Sequence, residues 1–425
     1  MSQKCRLCGS SDLESVLDLG ASPPCELFLT KEQLDATEPN YPLHLRICGT
    51  CSLVQLPALI APDDIFSEYA YYSSYSPSYV EHARSYVDRA ANELSLSKDS
   101  FVVEVASNDG YLLQHVVERG IRCLGIEPSR NVGEVARQRG IPTETAFLGP
   151  DSGSRIRSSH GPADLVVANN VYAHVPDLIG FTKGLAQLVA DDGWITIEVQ
   201  HLLSLVELTQ FDTIYHEHFQ YYTVTSARES LASGGLSLVD VELIPTHGGS
   251  IRLWAQLDRS ASPPTDRVRE LMDKEQEAGL LKAGGFDDFV QRVARVKRDL
   301  LRFLIDAADA GKGVVGYGAP GKGNTLLNYC GIRPDLLAYT VDRNPYKHGR
   351  FTPGTRIPVV PVEQIEEDRP DFVLVLPWNL RTEITQQLAY IGEWGGRLVS
   401  AIPALEVLEP RSGNLVDARR RTESR

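Results

Sequence analysis

The chain has 425 residues, 42% of them hydrophobic, and a formal net charge of −14 at pH 7. At roughly 100–200 residues per domain, that length calls for two or three domains with cores of their own. The acidic balance, with no basic stripe or arm to offset it, argues against nucleic-acid binding, and no apolar run reaches the ~18 residues of a membrane-spanning helix. The amino-terminus does not read as a secretory signal, so the cytoplasm is the expected location, and a monomer is the working expectation.

Seven cysteines are unevenly spread. Cys5-x-x-Cys8 and Cys48-x-x-Cys51 form two pairs, with Cys25, Cys123 and Cys330 single. Two such pairs in a cytosolic chain supply four thiolates for a tetrahedral zinc, and Gly9 and Gly49 follow the knuckles where tight turns are wanted. Disulfides are the alternative, disfavoured by the compartment. A closed four-cysteine site leaves no open position, so this metal is expected to hold a fold over residues 1–75 and to do no chemistry. Leu43 to Cys48 alternates like a strand entering the second knuckle. The stretch from Glu68 to Pro77, dense in tyrosine and serine, suits a loop over a ligand or a half-exposed packing strip. A helix from Ser78 to about Leu94 follows.

The central region, residues 76–262, is organised around Phe101-Val102-Val103-Glu104-Val105-Ala106, a short buried strand that turns on Ser107-Asn108-Asp109-Gly110 into a helical pattern from Tyr111. Such a corner handles nucleotides in an open α/β sheet, and Asn108 or Asp109 can cap the helix. It lacks the Lys-Ser/Thr of a phosphate loop, and Glu104 would repel a phosphate; a nucleoside bearing a positive group is the expected ligand. One strand and helix later, Cys123-Leu124-Gly125-Ile126-Glu127-Pro128 ends on an acid able to take both ribose hydroxyls. The corner and the acid together resemble the first motif and second-strand end of class I S-adenosylmethionine-dependent methyltransferases. That resemblance implies cofactor contacts from Glu104, Ser107, Asn108, Gly110, Glu127 and Pro128. A corner for NAD is the rival.

Further strands are expected at 164–169 and 194–199, in a doubly wound pattern. The first ends on Asn169-Asn170 at the edge where ligands bind, and His174 follows over the same crevice. Beyond the second lies Phe211-Asp212-Thr213-Ile214-Tyr215-His216-Glu217-His218-Phe219-Gln220-Tyr221-Tyr222. If extended, this segment turns Tyr215, Glu217 and Phe219 one way and His216, His218 and Gln220 the other. A histidine is suited to taking a proton near neutral pH, and an adjacent acid can orient it. Metal binding by His-Glu-His is the rival chemistry, but no third ligand stands at a recognised spacing.

Ser260-Ala261-Ser262-Pro263-Pro264 reads as a hinge. Helices at about 265–280 and up to 310, broken at Gly284-Gly285, precede Gly316-Tyr317-Gly318-Ala319-Pro320-Gly321-Lys322-Gly323-Asn324, a second strand–turn–helix corner. Apolar runs near 337–341, 371–376 and 397–401 complete a smaller Rossmann-like sheet over 263–410. A glycine-rich turn with one lysine at a helix start suits phosphate, although Pro320 disfavours the ordinary form. Residues 411–425 read as a disordered tail.

Taken in order, the cysteine pairs, Glu104-x-x-Ser107-Asn108-Asp109-Gly110, Asn170-x-x-x-His174-Val175-Pro176, Asp212-x-Ile214-Tyr215-x-Glu217-His218-Phe219 and His247-Gly248-Gly249-Ser250-Ile251-Arg252 resemble the zinc-containing sugar C-methyltransferases acting on nucleotide-linked 4-keto deoxysugars, over nearly the whole chain. The resemblance implies S-adenosylmethionine and zinc as cofactors and C-3 as the methylated carbon. His218 would be the base, supported by Glu217 and Tyr215, with His174 and Tyr69 nearby, Asn169 at the cofactor, and Tyr72, Lys322, Asn324, Arg343 and Asn379 on a thymidine-linked sugar nucleotide. An NAD-dependent sugar-nucleotide oxidoreductase and a non-catalytic zinc scaffold are the other classes these residues leave open.

Overall fold

The computed structural model describes residues 4–61 and 72–408, so Tyr69 and the 411–425 tail lie outside the described residues. The chain forms two units: Met1–Gly20, Pro42–Glu207 and His216–Val290 make the first, and Ala21–Tyr41, Leu208–Tyr215 and Gln291–Arg425 the second. Neither is a single run of sequence. Residues 21–41 and 208–215 group with the carboxy-terminal unit, and the helix Asp266–Glu277, beyond the Pro263-Pro264 turn, groups with the first.

In the first unit a small sheet joins β1 (Leu13–Ser22), β2 (Tyr41–Cys48), β3 (Val54–Gln55) and β9 (Gln220–Tyr221), in that order. The alternation in β2 is real: Leu43, Leu45 and Ile47 are buried while Arg46 and His44 are only partly covered. The large sheet is built from β4 (Phe101–Val105), β5 (Arg122–Ile126), β6 (Thr143–Glu144), β7 (Ala163–Asn169), β8 (Val189–Gln200), β10 (Leu236–Ile244) and β11 (Ser250–Leu257). Its order is β10-β11-β8-β7-β4-β5-β6, with β11 antiparallel to both neighbours and the other pairings parallel. Every residue of β4 is buried, as a strand covered on both faces requires. Strand order reverses between β4 and β7, and ligands of open α/β sheets bind at the carboxyl ends flanking such a reversal.

The second unit carries β12 (Val314–Tyr317), β13 (Thr340–Val341), β14 (Val359–Val360), β15 (Phe372–Val375), β16 (Arg397–Ser400) and β17 (Glu406–Leu408). The order is β14-β13-β12-β15-β16-β17, parallel except at β17. This is the expected Rossmann-like sheet, with its own reversal between β12 and β15. Residues 21–41 belong to it through reciprocal backbone bonds between Leu29 and Phe351 and a bond from the Asn324 amide to the Cys25 carbonyl.

The four cysteine sulfurs lie within 4.8 Å of one another. Cys5 Sγ and Cys51 Sγ are 3.5 Å apart, as are Cys8 Sγ and Cys48 Sγ, close to the ~3.8 Å edge of a tetrahedron with 2.3 Å zinc–sulfur bonds. Gly9 N–H closes the first knuckle on the Cys5 carbonyl and Ser52 N–H the second on Cys48, both at 2.9 Å. The left-handed residue in the second knuckle is therefore Ser52 rather than Gly49. Gly49 is needed for space: a Cβ there would sit 2.2 Å from an Asp12 carboxylate oxygen. Structural zinc contributes on the order of 10 kcal/mol in small modules. One zinc per chain is expected by atomic absorption, and Cys48→Ser should lose it and lower the thermal midpoint by ~10 °C.

Candidate active site

The corner after β4 departs from an ordinary helix start. Ala106, Asn108 and Gly110 all take positive φ, and a Cβ on Gly110 would lie 2.2 Å from Ile141 Cδ1. The helix begins only at Leu113, and neither Asn108 nor Asp109 caps it. Both hold a neighbouring segment instead. Asn108 Oδ1 accepts the Ser73 N–H at 2.9 Å, while Asp109 accepts the Ser74 hydroxyl and pairs with Arg139 at 3.2 Å. Tyr72, just before, accepts from Asn131 of the helix that follows β5, at 3.2 Å.

Glu104 is buried and neither of its carboxylate oxygens has a partner among the described residues. Burial, with Glu127 and Asp109 adding repulsion, pushes its pKa well above the ordinary range. A cationic ligand would supply the missing partner, which is the fit expected of a sulfonium nucleoside. Ser107 Oγ and Asn169 Oδ1 are likewise buried without partners there. Glu127 accepts the Asn108 N–H at 2.8 Å and the Ser129 N–H at 2.9 Å, one on each oxygen, and the Ser129 hydroxyl bonds it as well. Pro128 is half-buried beside it. Glu104, Ser107, Asn108, Glu127 and Asn169 thus share the carboxyl edge of β4, β5 and β7.

A second buried carboxylate on this sheet went unread in the sequence. Glu198 of β8 pairs with Arg252 of β11 at 2.6 Å and His82 at 2.8 Å, and accepts the Thr246 hydroxyl at 2.8 Å. Burial alone would raise its pKa, but the His82 hydrogen bond and the Arg252 charge hold it at about 2. Above it, Tyr79 stacks on Tyr111 at 4.9 Å and accepts from Asn170 Nδ2 at 2.7 Å. The available signal was a charge inside an otherwise apolar strand on each side: Ile197-Glu198-Val199 and Ile251-Arg252-Leu253.

The histidine-rich segment is not extended. A 3-10 turn at Phe211–Thr213 and a second turn at 216–217 break the expected alternation, so His216, Glu217, Phe219 and Gln220 are all buried while Tyr215 and His218 are half-buried. His218 and His174 meet edge to face with ring centroids 4.7 Å apart. Burial drives the His174 pKa down to about 4, partly offset by its hydrogen bond to the Glu217 backbone. Tyr215 groups with the second unit and His216–His218 with the first.

At the second unit's reversal, Lys322 donates to Asn379 Oδ1 at 2.8 Å and lies 4.8 Å from the Trp378 ring centre. Trp378 Nε1 donates to Asp212 Oδ2 at 2.7 Å. The glycines here serve packing: a Cβ on Gly321 would meet Cys25 Sγ at 2.8 Å, and one on Gly323 would meet Leu376 Cβ at 2.9 Å. The Ala319 N–H is already given to Asp342 at 2.7 Å. Asn324 is fully buried against Cys25, and Arg343 is 61% exposed near Glu383, so only Lys322 and Asn379 of the expected substrate residues come together here. Burial raises the Asp212 pKa from 3.8 to about 7 against the opposing pull of Lys322 and Trp378. An acid held above its unfolded value loses stability as pH rises from about 4 through 7. Asp212→Asn, which keeps an acceptor for Trp378, should match the parent near pH 4 and be more stable at pH 8, by on the order of a few kcal/mol in denaturant titrations.

Three family models match the chain in succession: a zinc binding domain over residues 5–66, a methyltransferase domain over 79–241, and a C-methyltransferase C-terminal domain over 245–403. C-methyltransferase NovU of Streptomyces niveus is 34% identical over 409 residues, covering 96% of this chain and 97% of that protein. Among solved structures, an S-adenosylmethionine-dependent methyltransferase of Clostridium acetobutylicum ATCC 824 is similar over 42% of this chain and 92% of its own, at 12% identity and TM-score 0.34. Magnesium protoporphyrin IX methyltransferase ChlM of Synechocystis PCC 6803 with bound SAH is similar over 41% and 82%, at 17% identity and TM-score 0.34. The cofactors are S-adenosylmethionine and zinc, and of the classes the residues left open, methyl transfer is selected. The chain belongs to the C-methyltransferase family and is an S-adenosylmethionine-dependent C-methyltransferase with a four-cysteine zinc module.

Proposed function

We propose that the acceptor is a nucleotide-linked 4-keto deoxysugar, that the methyl group goes to the carbon beside its ketone at C-3, and that His218 is the base. The supporting observation is the edge-to-face pair that His218 makes with His174, ring centroids 4.7 Å apart. His174, half-buried and held near 4, stays neutral through the working range and is tied to the Glu217 backbone. His218 stands edge to face against it, equally half-buried, and lies next to Glu217 on the segment that the resemblance makes the source of the base.

A sugar carbon is not nucleophilic until it loses a proton, and its C–H is acidic enough only beside a ketone. His218 takes that proton, and the electron pair moves through the new C=C bond onto the C-4 oxygen as an enolate. Tyrosine hydroxyls of Tyr215 and Tyr69 are the proposed donors to that oxygen, each worth about 3 kcal/mol when well aimed. Glu217 orients the segment, and Glu104, Ser107, Asn108, Gly110, Glu127, Pro128 and Asn169 hold the cofactor. S-adenosylmethionine supplies an electrophilic methyl group. Lys322 and Asn379 are the proposed contacts to the substrate diphosphate, with thymidine the nucleotide to assay first.

The test uses a panel of 4-keto sugar nucleotides with 13C-methyl donor, the product carbon being located by carbon–proton correlation. A new methyl on C-3 is expected; a methyl on C-5, oxygen or nitrogen contradicts the assignment. His218→Asn should lower kcat by about 10³-fold with unchanged binding of S-adenosylmethionine.

A further inference from the structure

The small sheet of the zinc module ends on β9, and β9 begins two residues after His218. The register pairs Val54 with Tyr221 and Gln55 with Gln220. One step on, the Leu56 N–H donates to the Phe219 carbonyl at 2.9 Å, while the Phe219 N–H donates to the Ala173 carbonyl at 2.8 Å. Phe219, the residue after His218, is thus held on one side by the zinc module and on the other by the residue before His174. Gln220 completes the hold, its Nε2 donating to the carbonyls of Tyr172 at 2.7 Å and Val175 at 3.0 Å, on either side of His174.

What keeps β3 in place is a pair of side chains. Gln55 is fully buried, and its Oε1 accepts from the Arg6 backbone at 3.2 Å and from Arg6 Nε at 3.3 Å. Arg6 Nη2 donates to the Leu56 carbonyl, and the guanidinium lies 5.3 Å from the Phe219 ring centre, within cation–π range. Arg6 belongs to the first cysteine knuckle, and β3 follows the second. Removing the Gln55 acceptor would leave the Arg6 fork under-satisfied in a covered site, where it already has one nitrogen, Nη1, without a partner among the described residues.

We infer that Arg6 and Gln55 are positioning residues for methyl transfer: they clamp the two metal knuckles to Leu56 and Phe219 and thereby set where the His218 ring stands. Neither touches a reacting atom in this role. The inference rests on the reading of His218 as the base. A displacement of about 1 Å at a reacting group can cost about 10²-fold in rate, so a clamp remote from the chemistry is expected to show in kcat.

Gln55→Leu removes the acceptor; Gln55→Glu keeps it but gives up the Gln55 amide's hydrogen bond to the Cys5 sulfur, a loss that the zinc content reads out. Full-length enzyme of each is assayed for kcat, for KM toward S-adenosylmethionine, for zinc content, and for hydrogen exchange in peptides covering residues 216–222. Expected for Gln55→Leu are a kcat lower by about 10²-fold, an unchanged KM, one zinc retained, and faster exchange in 216–222. Gln55→Glu should restore kcat and protection. Wild-type kcat in Gln55→Leu, loss of zinc together with activity in Gln55→Leu, or failure of Gln55→Glu to rescue with its zinc retained would each overturn the clamp. His218→Asn is measured separately: activity retained there removes the base assignment, while exchange and the Gln55→Glu rescue still decide whether the clamp exists.

Discussion

Both backbone polar groups of one residue anchor the histidine segment of the first unit. Phe219 donates its N–H to the Ala173 carbonyl, its own carbonyl accepts the Leu56 N–H, and its side chain is fully buried under the Arg6 guanidinium. A backbone with both groups satisfied and no exposed side chain has little freedom, so the residue before it inherits a fixed place. His218 stands there, a half-buried imidazole on an otherwise buried run. The metal module, usually thought of as an appendage that does no chemistry, is by this geometry the outer wall of the loop.

The same unit treats two buried carboxylates in opposite ways. Glu198 has a guanidinium, an imidazole and a hydroxyl around it, and its charge is fully compensated by the chain. Glu104 has none of these and faces two further acids. The first pattern builds a rigid floor; the second leaves a charge to be balanced by something that comes and goes. A methyl donor that is cationic before transfer and neutral after it has that character, in keeping with the cofactor contact proposed for Glu104.

The elements written as unbroken apolar runs were legible in the residues. The strands expected at 101–106 and 164–169 agree with β4 and β7 to within a residue, and both cysteine pairs come together as their spacing implies. The expected strand at 194–199 lies inside a longer β8, which starts at Val189 and passes through an irregularity between the pairings of Ala163 with Val189 and Leu165 with Trp194. β11 was hidden because its eight buried residues include Arg252, Trp254 and Gln256, and Arg252 is answered by Glu198 and His82, 54 and 170 positions away. Contacts such as Asn324 with Cys25 are 299 residues apart, and no local pattern announces them. The alternation drawn through Tyr215 to Gln220 failed for a related reason: hydrogen bonds to Ala173 and Leu56, not the intrinsic period of an extended chain, set the path there.

The central claim is that the His218 imidazole removes a proton from the carbon that will carry the methyl group. It is tested most directly without any methyl transfer, by following exchange of the C-3 hydrogen of a 4-keto sugar nucleotide for solvent deuterium, with S-adenosylhomocysteine in place of the donor. Deuterium entering at C-3 with the parent enzyme and not with His218→Asn is the predicted result. Equal exchange in both, or methyl transfer by an enzyme that never exchanges that hydrogen under any donor analogue, would contradict it.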